Sequence, residues 1–220
     1  MNLVIGDYIQ ISIFVISLSV FARKPVPLYL KLFPIYFFCL MIVDLVIEYT
    51  TNLGIHNTIL ANIWGITEFS FYLFVLREII VNVKVKKWIL YVIIIFALFG
   101  FINIFFIQKN DRFNPINFTI GTVITVVFCI YYYFEVFQKT EMQSLARSSN
   151  FWIVSAILFN VVLTFPMFAL LSFMYTITNK AASEIIFDNI NAIFNIISIL
   201  TYILYSIGFI CRIRTSKSTL

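Results

Sequence analysis

The residues able to do chemistry are few, and they sit where chemistry is expensive. Glu68 lies in the middle of Ala61–Tyr72, a run that otherwise reads as lipid-buried, and no Lys, Arg or His is near it in sequence. A carboxylate at bilayer depth costs between about 3 and 10 kcal/mol or more, so an intramembrane acid is a functional-site hypothesis with a partner to be found. Asp44 and Glu48 occupy the preceding apolar segment. Four residues apart, they share one helix face. Without a base, the three acids cannot all remain charged in a low dielectric: they carry protons, or a cation shares their site. One helical turn either side of Glu68 stand Trp64 and Tyr72, with Gly65 beside Trp64. Aromatic faces next to a carboxylate suit a cation, each contributing about 0.5 to 2 kcal/mol. Asn160, Asn191 and Asn195 are neutral hydrogen-bonding groups expected at similar depth. The plainer alternative is that Glu68 is protonated and serves as interhelical glue worth about 0.6 kcal/mol.

Other chemistries are poorly served. The single histidine, His56, falls in a loop, and neither HExxH nor GxSxG occurs, so metal or serine hydrolysis has no machinery, although a bare carboxylate pair keeps an intramembrane acid–base hydrolase as a third reading. Cys39, Cys129 and Cys211 show no CxxC spacing. A light-driven pump of the microbial rhodopsin kind needs a lysine within its seventh helix, and Lys180, in the preceding loop, is the nearest. No metal and no cofactor are expected.

The elements that position these groups follow from composition. A chain of 220 residues that is 62% hydrophobic and only 11% charged is a polytopic membrane protein of all-α class. Crossing ~30 Å of hydrocarbon takes about 20 apolar residues. The sequence divides into seven such runs, near Leu3–Phe21, Leu32–Tyr49, Thr58–Ile80, Trp88–Ile107, Phe118–Phe137, Phe151–Phe173 and Ile185–Ile210. The first has no basic leader and no small-residue cleavage site, and reads as a retained helix. Twelve of the 15 Lys and Arg residues end or follow the odd-numbered runs, and only Lys109, Arg112 and Lys180 fall in the other loops. Basic loops stay cytoplasmic, which puts the N-terminus outside and the C-terminus inside. The charge of +5 is thus an orientation signal, and no nucleic-acid partner is expected.

Asp188, Asn191, Asn195, Ser198, Tyr202 and Tyr205 recur at steps of three and four along the seventh helix, a polar stripe that must face other helices. The fourth run is apolar except for Asn103, as a peripheral connector would be. The chain then divides into a first triplet (1–80), a connector helix (81–115) and a second triplet (116–220). In the two triplets Asp44 pairs with Asn160 and Glu68 with Asn195. This three-plus-one-plus-three plan resembles the SWEET sugar transporters and the bacterial nicotinamide riboside transporters in architecture. The proline–glutamine pairs of the first group and the tryptophan-rich motif of the second are missing, so none of their functional residues carries over. The motifs Trp64-Gly-Ile-Thr-Glu-Phe, Phe151-Trp152-Ile153 and Ile207-Gly208-Phe209-Ile210-Cys211-Arg212 are similar to a group of uncharacterised seven-helix bacterial membrane proteins.

The expectation is a multi-pass protein of the cell inner (cytoplasmic) membrane, with the lipid bilayer as partner. It binds a small cation, proton or polar solute through Glu68, Asp44, Glu48, Asn160, Asn191, Asn195, Trp64 and Tyr72, as a small-solute or ion-coupled transporter. A membrane sensor that signals to a cytoplasmic partner is the second reading, and a homo-oligomer is compatible with either.

Overall fold

The computed structural model describes residues 5–22, 25–55, 57–107, 114–138, 145–174 and 180–215, and the side chains of all of these except 5–7, 171–174, 180–188, 191 and 214–215. Every regular element among them is helical. They are α1 (Ile5–Leu18, continued by a 3₁₀ turn over Ser19–Ala22), α2 (Leu28–Asn52), α3 (Thr58–Ile79), α4 (Val83–Ile102, continued by a π turn over Asn103–Ile107), α5 (Pro115–Gln138), α6 (Ser149–Met174) and α7 (Lys180–Thr215). Among the described residues six helices, α2 to α7, are long and apolar enough to cross a membrane, while the first apolar stretch, Tyr8–Ala22, is shorter. Side chains such as Ile95, 65% exposed, and Phe106, 80% exposed, face outward without cover. That exterior is the surface of a multi-pass membrane protein. His56 and the Lys109–Arg112 loop lie outside the described residues.

Local chemistry sets the helix ends. Pro27, with φ −59° and ψ 148°, starts α2 four residues before the hydropathy run begins, and Pro34 is carried inside the helix. An internal proline loses one backbone hydrogen bond and costs about 3 kcal/mol in a bare helix. Here Leu30, Phe33 and Phe37 around it are all buried, so packing overrides the local preference. Asn114 caps α5, its Oδ1 accepting from the Asn117 amide at 3.1 Å, with Pro115 at the first helical position, where a missing N–H costs nothing. Asn82 caps α4 by accepting from the Lys84 amide at 2.9 Å. The carboxylate of Glu135 on α5 accepts the Val81 and Asn82 amides, each at 2.9 Å.

Packing closes α1, α2, α3, α5, α6 and α7 into a ring in that order, α7 returning to α1, while α4 lies against the outer side of α3. Helices α3 and α5 interlock reciprocally. A Cβ at Gly65 would stand 2.5 Å from the ring of Phe118, and one at Gly121 would stand 2.6 Å from the ring of Phe69. Each glycine is therefore the socket for a phenylalanine of the other helix. At the far end of α4 four buried asparagines form a latch between three helices. Asn103 Nδ2 donates to Asn114 Oδ1 and Asn117 Oδ1, each at 3.0 Å; Asn117 Nδ2 donates to the Gly100 carbonyl; and the Asn114 amide donates to Asn62 Oδ1 on α3 at 3.0 Å.

Candidate functional site

The ring of helices leaves a cavity of about 260 Å³ at its centre. At ~30 Å³ per water it has the volume of eight or nine water molecules. Its floor is built on Glu68. From α3, Glu68 Oε1 accepts two phenol hydrogen bonds, from Tyr72 at 2.6 Å and from Tyr36 of α2 at 2.8 Å. The first follows from sequence spacing, since residues four apart on a helix meet. The second requires α2 to pack against α3. Asn160 Nδ2 of α6 donates to the Tyr72 hydroxyl at 2.9 Å, so the order of donation runs Asn160 to Tyr72 to Glu68. Hydrogen bonds to an ionised acceptor are about twice as strong as neutral ones, and two on one oxygen hold the carboxylate in a single orientation. Glu68 Oε2 takes neither phenol.

The walls are aromatic. Tyr36 is stacked on Phe71 with ring centroids 4.4 Å apart and planes 8° from parallel, and it lies nearly parallel to Trp64 at 5.8 Å. Phe69 and Phe118, the two rings of the α3–α5 interlock, line the cavity as well. Asp44 lines the other end, two turns along α2 from Tyr36, and accepts a hydrogen bond from Gln10 Nε2 of α1. Thr201 Oγ1, on α7, is buried at the cavity and has no hydrogen-bond partner among the described residues.

Of the residues singled out from sequence, Glu68, Asp44, Asn160, Trp64 and Tyr72 line this one cavity. Asn195 and Glu48 do not. On α7 the cavity is lined by Phe194, Ser198, Thr201, Tyr202 and Tyr205. Asn195, one residue past Phe194 and so rotated ~100° from it, is exposed instead. The expected correspondence of Asn195 with Glu68 therefore does not extend to a shared cavity. Glu48 sits one turn beyond Asp44, past the end of the lining. The side chain of Asn191 lies outside the described residues.

Sequence reasoning missed Tyr36 and Gln10 as site residues. The signal for Tyr36 was its spacing, because Tyr36, Leu40 and Asp44 recur at steps of four and all three face the cavity.

Compared with known proteins, the chain matches no family model, no curated protein and no solved structure.

The lining supplies two carboxylates, neutral hydroxyls and amides, and aromatic faces, and no Lys, Arg or His among the described residues. Such a set neutralises positive charge. It has no charged group to offer an anion.

Proposed function

We propose that the cavity binds a small cationic solute and that the protein carries it across the membrane, as a small-solute or ion-coupled transporter. The observation that supports this reading is the lining itself, two acids and, among the described residues, no base around a partly open space within an apolar bundle. A carboxylate at bilayer depth is costly, and a cation in the cavity lowers that cost. The cyclic order of helices, with α4 outside, is compatible with two triplets related about the membrane normal, as in the SWEET-like plan. The basic loops orient the chain with its N-terminus outside, which turns the Asp44 end of the cavity toward the outer face and the Tyr72–Tyr205 end toward the cytoplasm.

The test is a thermal-shift series on the purified protein across inorganic cations and alkylamines, followed by uptake into vesicles reconstituted with the protein. A stabilising cation should also accumulate in the vesicles. Glu68→Gln keeps size and hydrogen-bonding capacity, so it should fold normally yet lose both the shift and the uptake. A panel with no stabilising cation, or a Glu68→Gln protein that binds and transports unchanged, overturns the proposal.

A further inference from the structure

The two carboxylate oxygens of Glu68 keep different company. Oε1 accepts from the hydroxyls of Tyr72 and Tyr36, at 2.6 and 2.8 Å. Oε2 accepts no hydrogen bond among the described residues, and the half-buried side chain lines the cavity. A carboxylate oxygen offers two lone pairs, so the two phenols fill Oε1. The direction of donation is fixed from behind. Asn160 Nδ2 donates to the Tyr72 hydroxyl at 2.9 Å, which turns the phenol's own proton toward Glu68. A proton cannot join Oε1 without expelling a phenol. Its seat is therefore Oε2, and Oε2 is also the oxygen left for a cation in the cavity.

That shared seat couples the two. An ionised acid at bilayer depth is costly, and either a proton or a cation lowers the cost. For a monovalent cation the protonated and the loaded site carry equal charge, whereas the empty, ionised site bears the full penalty. Few other groups can take part. Those that titrate and face Glu68 are Tyr36 and Asp44 from α2, Tyr72 from its own helix, and Tyr202 and Tyr205 from α7. From α1, α5 and α6 the lining is Gln10, Phe118, Asn160, Val161, Thr164 and Phe168, none of which titrates, and α4 contributes nothing to it. Phenols ordinarily lose their protons only near pH 10. The exchangeable proton thus belongs to Glu68 or to Asp44, and Asp44 already accepts from Gln10 Nε2.

We infer that the protein exchanges protons for its cation: Glu68 Oε2 holds one or the other, so each monovalent cation that binds displaces one proton. The Oε2–H bond breaks with its electron pair left on the oxygen, the proton leaves to solvent through the partly open cavity, and the carboxylate takes the cation as counter-ion. This rests on the cationic reading of the cavity and adds the coupling ion to it.

The experiment follows proton release with an indicator dye in weakly buffered solutions of the full chain in detergent, with binding measured in parallel by titration calorimetry. The probes are sodium, methylammonium and tetramethylammonium chlorides; the last has no proton of its own to lose. In a series from about pH 5 to about pH 8, release should approach one proton per bound cation toward the acid end, and affinity there should tighten by up to about tenfold per unit rise in pH. Asp44→Asn should release the same proton per bound cation. In reconstituted vesicles an acid interior should drive accumulation of the cation, and a protonophore should abolish it. If a cation binds without proton release and with the same affinity at every pH, the exchange is wrong while the cation site stands. Release that persists in Glu68→Gln, or that vanishes in an Asp44→Asn protein still binding the cation, overturns the assignment to Glu68. If the protein is monodisperse and helical but binds none of the three probes and no other cation, the cation reading itself falls, and the exchange with it.

Discussion

Two buried polar regions lie on opposite sides of α3, and they solve the same problem in different ways. The asparagine latch of Asn62, Asn103, Asn114 and Asn117 uses only neutral amides, spends them on one another and on helix ends, and packs each residue to 3% exposure or less. The cavity uses ionisable carboxylates and phenols and surrounds them with space, whereas the two amide atoms the latch leaves unbonded, Asn103 Oδ1 and Asn114 Nδ2, are sealed in packing. Amides buried in an apolar medium repay their desolvation only by bonding to one another. Open volume beside a carboxylate lowers packing density without giving the bundle any contact in return. A polar region that holds helices together therefore closes up, and the one that stays open gives the bundle no such return.

The sharpest way to break this contrast is through a ring that packs between two helices and also lines the cavity. Phe69 seats against Gly121 on one side and lines the cavity on the other. In Gly121→Ala the new methyl would meet the base of the ring at 2.6 Å, so the ring has to shift as a whole. Overpacking of this kind costs about 3 kcal/mol at the upper end of its usual range. We expect the thermal midpoint in detergent to fall and ligand affinity to fall with it, since Phe69 moves into the cavity. Unchanged affinity would show that the wall is more compliant than the packing implies.

Asn103→Leu should separate the two regions. It removes the donor to Asn114 and Asn117 at nearly constant volume and strands the Asn117 carbonyl oxygen, a loss of about 2 kcal/mol. Thermal stability should drop while the affinity of the folded protein for the cation proposed for the cavity stays as it was. A parallel loss of affinity would join latch and cavity into one unit. The smallest effect is expected at the α5 cap. Asn114 Nδ2 has no partner, whereas its Oδ1 accepts from Asn103 and from the Asn117 amide. Asn114→Ser keeps an uncharged accepting oxygen at the start of α5, and stability should stay within about 0.5 kcal/mol of the parent. Asn114→Ala, which removes the cap, should cost about 1 kcal/mol. Equal losses in the two variants would show that the cap is not the reason for the asparagine.

Much of this was legible before any coordinates, and the reasons for the remainder are geometric. Glu68, Trp64 and Tyr72 share a helix face at steps of four, so their meeting is a local property of α3. Asp44 could be matched to them by depth alone. Tyr36 could not be recognised as the second phenol on Glu68, because that contact is made by packing between α2 and α3. Asn195 was misplaced because a stripe stepping by three and four drifts around the helix, and sequence does not say which edge of a wide stripe faces inward. Within the latch, Asn114-Pro115 reads as a helix start, whereas its link to Asn62 joins residues 52 positions apart.

The attachments of α4 have a mechanical consequence. Its first turn hangs from Glu135 of α5, its last is held through Asn103 to the start of α5, and its length lies along α3. A rod fastened at both ends to one neighbour and laid against another acts as a splint. It fixes the α3–α5 flank of the ring as a rigid plate, and among the described residues no comparable splint lies along the opposite flank, where α7 returns to α1.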